Sequence, residues 1–161
     1  MNKNAFPGAD DITRVVLENG ITILCRTNFN SPSVVLRGYL PAGSLFDPEE
    51  KLGLADFTAS ALMRGSENRD FQAIYDTLES VGASFGFSAG MHTLGFGGRA
   101  LAEDLPLLMG ILAEGLRQPT FPDEHIEKLR AQQLTGLALR DQDTGDMAEL
   151  IFDEILYAGH P

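Results

Sequence analysis

The change of apolar period along this chain constrains its fold more than any other feature. Residues 12–18 (ITRVVLE) and 21–27 (ITILCRT) are rich in β-branched side chains, which fit a pleated surface. Asn19-Gly20 lies between them. That dipeptide takes up the positive φ angles of a two-residue turn at little steric cost, so the spacing predicts a hairpin. A third run, SVVLRGYLPAG at 33–43, closes on Pro41 and Gly43. All three runs are expected as strands of one sheet. The period then becomes helical. Leu54, Phe57, Ala61 and Leu62 follow at i, i+3, i+7 and i+8, and Gly65 stops them. Phe71, Ile74, Tyr75, Leu78 and Val81 repeat the pattern up to Gly82. ASFGFSAG and MHTLGFGGRA alternate again, with Phe85 and Phe87 on one face, and read as a second hairpin. The rest is helical. One stripe runs through Leu105, Leu108, Met109, Leu112 and Leu116. A second helix opens at Phe121-Pro122-Asp123 and carries Ile126, Leu129, Gln133, Leu134 and Leu137. A third, capped by Thr144, carries Met147, Ile151, Phe152, Ile155 and Leu156. Strands and helices come in blocks without strict βαβ alternation. This predicts an α+β fold of two layers, a mostly antiparallel sheet with helices packed on one face.

A chain of 161 residues, 43% of them apolar, can bury a core and suits one domain. Residues 1–11 read as an N-terminal extension and 12–161 as the domain. The chain stops at LYAGHP without a polar tail, which reads as a piece of a longer two-domain subunit. Twelve basic against 23 acidic residues leave a net charge of −11. Such a surface repels phosphate backbones, so nucleic acid and anionic membranes are not expected as partners. The single cysteine, Cys25, excludes an internal disulfide and is expected as a small core residue. The N-terminal MNKNAFPGADD has no apolar signal core, and no apolar run approaches the roughly 20 residues of a membrane span. A cytoplasmic location is the expectation.

Four strings then occur in a telling order: LENGITILCRT, LPAGSLFDPEEKLGLADF, ALMRGSENRDFQAIYDTLESVGASFGFSAGMHTLGF and PTFPDEHIEKLR. In order and spacing they resemble the N-terminal domain of the insulinase, pitrilysin and mitochondrial-processing-peptidase family of zinc metallopeptidases, over about residues 12 to 160. The most specific pieces are NGITIL, the AGS…GLA run and the RGS that follows the helix. In that family the helix after GLA carries H-x-x-E-H. Two His at i and i+4 share one helical face and can hold one zinc ion. The Glu acts as general base on the zinc-bound water. A further Glu ligand comes from a later helix.

The resemblance places the first His position at Asp56, the Glu at Ala59, the second His at Ser60 and the later Glu at Gly136. No Glu lies between Lys128 and Glu149 to replace that last ligand. One carboxylate beside Ala and Ser cannot make the three-ligand set that a tight zinc site needs. No metal or cofactor is therefore expected in this chain, and no catalysis by it alone. Family members also occur in pairs, one subunit with the motif and one without. The motif-less partner closes the peptide-binding chamber. The expectation is a non-catalytic subunit of a heteromeric peptidase of the processing type, with a zinc-bearing sister subunit and a peptide substrate as partners. The alternative is a structural or assembly module, like the core subunits of the respiratory bc1 complex.

The other candidate residues have plainer readings. His92 reads as a half-exposed residue at a strand start, and His125 as solvated in a first helical turn. His160 falls in a structural Gly-His-Pro turn. The three His are too far apart in sequence to pair on one helix. GFGGRA lacks the strand-to-helix setting of a phosphate loop. On the helix that follows GLA, Leu54, Phe57, Ala61 and Leu62 are expected to face the sheet, with Asp56, Ala59 and Ser60 turned toward the site.

Overall fold

A computed structural model describes residues 8–159. The chain divides into two compact units after Ser33. In the first, β1 (Thr13–Val16) and β2 (Thr22–Cys25) pair antiparallel, with Val16 opposite Thr22 and Thr13 opposite Cys25. The hairpin is the expected one, but its loop has three residues, 18–20, in place of two, and of these only Gly20 has a positive φ. Gly20 has φ 87 and its N–H donates to the Leu17 carbonyl at 2.9 Å. Leu17 N–H in turn donates to the Ile21 carbonyl at 2.9 Å. Cys25 is exposed, which corrects its expected place in the core.

The second unit holds a three-stranded sheet of order β3-β5-β4, built from β3 (Ser33–Leu40), β4 (Ser84–Ala89) and β5 (Leu94–Leu101). β3 pairs with the central β5, so the three N-terminal runs do not make one sheet. The expectation failed because the hairpin signal is local and the partner of β3 lies more than fifty residues away. β4 and β5 are antiparallel, with Phe87 opposite Phe96 and Gly86 opposite Gly97. A side chain at Gly38 would run into the Phe96 ring, so this position of β3 admits only hydrogen.

The helices are α1 (Leu54–Ala61), α2 (Phe71–Ser80), α3 (Leu105–Arg117), α4 (Asp123–Arg140) and α5 (Thr144–Leu156). Asp70 caps α2, its carboxylate accepting from Ala73 N–H at 2.8 Å. Asp143, one residue before the expected Thr144, caps α5 by accepting from Gly145 and Asp146 N–H. One face of the sheet carries the core. Met63, Ile74, Leu78, Leu108 and Ile111 from the helical side meet Ala100, with Val34, Leu36, Phe85 and Phe87 packed around them. Phe85 and Phe87 stack edge to face, 5.3 Å between centroids. This is the α+β arrangement that the apolar periods predict.

The expected stripes of α4 and α5 are only partly buried. Leu129 is the one buried residue of α4, while Leu134 and Leu137 are exposed. On α5 Ile151, Phe152, Ile155 and Leu156 are all exposed, Ile155 to 73%. Among the described residues no helix is long and apolar enough to cross a membrane.

Candidate functional site

The site candidates sit on α1, and α1 is held at its start by a loop residue that sequence reading missed. The Asp47 carboxylate accepts from Gly53 N–H and from Ala55 N–H, each at 3.0 Å. Two unpaired donors of the helix start are satisfied by one side chain, and its negative charge suits the positive end of the helix dipole. Gly53, at φ 91, makes the sharp entry.

The burial of α1 bears out half of the expected inward stripe, since Ala61 and Leu62 are buried. Ala59 is 1% exposed and lies in the core with Ala61, Leu62 and Met63. Leu54 is 43% exposed, and Phe57 is only half-buried. Ala59 is thus covered by its neighbours, where an open outlook into the site was expected. Beside it Asp56 is exposed and Ser60 half-buried. The two stripes of α1 adjoin, and eight residues make little more than two turns, so periodicity alone does not orient it. The small side chain at Ala59 lets the helix settle close to its neighbours on that side.

α4 meets α1 along the other flank. Gln133 Nε2 donates to Asp56 Oδ2 at 3.3 Å. The Arg130 guanidinium lies 5.9 Å from the Phe57 ring centroid. A shallow apolar groove of about 370 Å³ runs between Phe57, Ala61, Phe121 and Ile126. Phe121, which opens α4, takes the rare positive φ of 45. Gly136 lies about one turn beyond Gln133, exposed, and a Cβ there would meet nothing within 4 Å. The structure thus joins Asp56 to Gln133, a residue outside the expected set, and leaves Gly136 in open space.

This donor set does not fit zinc. It offers the Asp56 carboxylate, the Ser60 hydroxyl and the Gln133 carboxamide, with a core methyl at Ala59 and hydrogen at Gly136. Zinc in proteins takes thiolate, imidazole or carboxylate ligands, three or four together. Among the described residues no three His, Cys, Asp or Glu side chains gather as a metal's ligands would. The histidines lie elsewhere. His92 is exposed in the bend between β4 and β5. His125 is half-buried, its ring 4.9 Å from that of Phe71, so it packs where solvation was expected. His160 lies outside the described residues.

The RGS string after α1 builds a staple. Arg64 lies over the Phe71 ring, 5.1 Å from its centroid. The Ser66 hydroxyl donates to Glu114 Oε2 at 3.0 Å and accepts from Arg69 N–H at 3.1 Å. The Arg69 guanidinium pairs with Glu114 Oε1. This ties the loop after α1 to α3, and its role is structural.

Known proteins share both sequence and fold with this chain. It is 28% identical over 141 residues to the cytochrome b-c1 complex subunit 1 of Rattus norvegicus, covering 86% of this chain and 28% of the relative. It is 26% identical over 150 residues to the mitochondrial-processing peptidase subunit beta of Saccharomyces cerevisiae, covering 90% of this chain and 31% of the relative. The chain spans less than a third of the length of these two relatives. A crystal structure of a peptidase M16 inactive domain from Pseudomonas fluorescens superposes with a TM-score of 0.83 at 29% identity, over 94% of this chain and 37% of that one. The profile of insulinase (peptidase family M16) matches residues 22–156, and the chain belongs to that family.

Proposed function

We propose that this domain is the non-catalytic member of a two-subunit M16 peptidase, closing a peptide-binding chamber around a zinc-bearing sister subunit's active site. The carrying observation is that the four positions the resemblance assigns to the zinc motif hold Asp56, Ala59, Ser60 and Gly136. Ala59 adds weight. Where the family has its general base, this chain buries a methyl group in the core. A single lost ligand leaves a near-complete site; four altered positions, one of them built into the packing, fit a subunit relieved of zinc chemistry. The zinc then belongs to the partner, and this chain contributes surface to the peptide. The −11 charge favours basic peptides at modest ionic strength. The pair would work in the cytoplasm.

A reading as an assembly module draws on the 28% identity to a cytochrome b-c1 complex subunit. Reconstitution separates the two. The protein is mixed with an H-x-x-E-H family member from the same genome, and cleavage of a peptide library is followed. Under the pairing, activity appears only when both are present and disappears when the partner's motif Glu is replaced. A partner equally active alone favours the assembly module. Chelator-sensitive cleavage by this chain alone overturns both.

A further inference from the structure

The sheet has a second face. Along each strand alternate residues point to opposite sides. Val34, Leu36, Phe85, Phe87 and Ala100 face the core, so Arg37, Ser84, Gly86, Ser88, Gly95, Gly97 and Arg99 share the other side. A cavity of about 610 Å³ lies over these residues. Its floor is bare because Gly86, Gly95 and Gly97, all on this side of the sheet, carry no side chain. Its charge runs against that of the whole molecule. Arg37 and Arg99 line it and no acidic residue does, in a chain with 23 carboxylates to 12 cations. Neither guanidinium has an ion-pair or hydrogen-bond partner among the described residues.

The two arginines are placed in register. The Arg37 stem runs beside Gly97, its Cγ 3.5 Å from where a Cβ on that glycine would stand. Arg99 follows Gly97 by two residues on β5 and the same face, about 7 Å along the strand. Alternate residues of an extended peptide have that same repeat.

We propose that this face binds an extended acidic peptide segment, laid along β5, with carboxylates two residues apart meeting Arg37 and Arg99. The guanidinium fork matches a carboxylate in shape and charge. The glycine floor lets a peptide backbone come close, and the Ser84 and Ser88 hydroxyls offer it hydrogen bonds. Charge decides the class of occupant, since a basic or purely apolar segment would leave both guanidinium groups facing it unpaired. The binding needs no sister subunit, so its test is separate from that of the pairing.

The probe is acetyl-Thr-Glu-Thr-Glu-Thr-amide, added at millimolar concentration and low ionic strength to the whole 15N-labelled chain. The Thr-Lys-Thr-Lys-Thr peptide is the control. Amide shifts should move on β3 and β5 with the Glu peptide, fade at high salt, and stay still with the Lys peptide. Two variants attack separate features. R37Q/R99Q removes the charge. Gly86→Val fills the floor at a position where a Cβ meets nothing within 4 Å, so the fold tolerates it. Each should weaken binding about tenfold or more. Equal response to both peptides, or unchanged binding in both variants, overturns the proposal. So does a dimer in sedimentation that R37Q/R99Q dissolves, which would make a second copy the occupant.

Discussion

Ala59→Glu tests whether the site is lost in the packing as well as in the ligands. The position is 1% exposed. Two costs follow. The added atoms overpack the core by about 1–3 kcal/mol at any pH. The carboxylate also loses its hydration. Burial raises the carboxyl pKa by about 3 units or more. With an unfolded pKa of ~4.3, the folded value is the higher one, so the folded state keeps its proton longer than the unfolded state does. The penalty is absent below the unfolded pKa and grows as pH rises above it. At pH 7 it reaches about 4 kcal/mol, at 1.36 kcal/mol per unit. The total loss is then about 5–7 kcal/mol at pH 7 and about 1–3 kcal/mol at pH 4. A small domain has about 5–15 kcal/mol in all, so the variant sits near the edge of folding at neutral pH. Ala59→Gln is the control, with similar volume and no titration. Urea titrations of both variants between pH 4 and pH 7 measure the difference. If Ala59→Glu and Ala59→Gln lose the same stability at both pH values, or if the Glu variant loses under 1 kcal/mol at pH 7, Ala59 does not lie in the core.

Leu108→Ala removes a side chain of 0% exposure at the centre of the core and should cost roughly 3–5 kcal/mol in denaturant titration. Phe57→Ala should cost less than a core aromatic, about 2 kcal/mol, because half-burial leaves less area to lose. Glu114→Ala strips Arg69 and Ser66 of their shared partner and should cost about 1–3 kcal/mol, with Glu114→Gln recovering part of it. Asp56→Ala breaks only an exposed contact to Gln133 and should change stability by less than about 1 kcal/mol. Asp56→His, Ala59→Glu, Ser60→His and Gly136→Glu together should fail to yield a peptidase, because the restored Glu starts from a core position and no outer hydrogen bonds orient the ligands; a peptide-cleavage assay reads this.

The local signals were legible in the chain. Asn19-Gly20 makes its hairpin, Gly82 at φ 61 follows the end of α2, and the alternation of Phe85 and Phe87 sets the buried face of β4. What depended on distant partners was not. β3 chooses β5 by a pairing that no neighbouring residue encodes. On α1 the expected inward positions Ala61 and Leu62 are buried, but Leu54 is exposed, Phe57 only half-buried and Ala59 covered, because in so short a helix the two stripes adjoin. Asp47 reaches the helix start from a loop six residues before Gly53, a span at which sequence alone does not fix a cap. At the site, spacing carried over from the family pointed to Gly136, but a glutamine side chain is long enough to meet Asp56 from one turn earlier. The stripe of α5 has the right period, yet nothing among the described residues covers it.

We propose that this chain does no zinc chemistry of its own. Elemental analysis of the purified protein, dialysed at neutral pH after exposure to zinc, tests this most directly. Zinc far below stoichiometric is expected, with no change when Asp56 is replaced by Ala. About one zinc per chain, lost on that replacement, would contradict it.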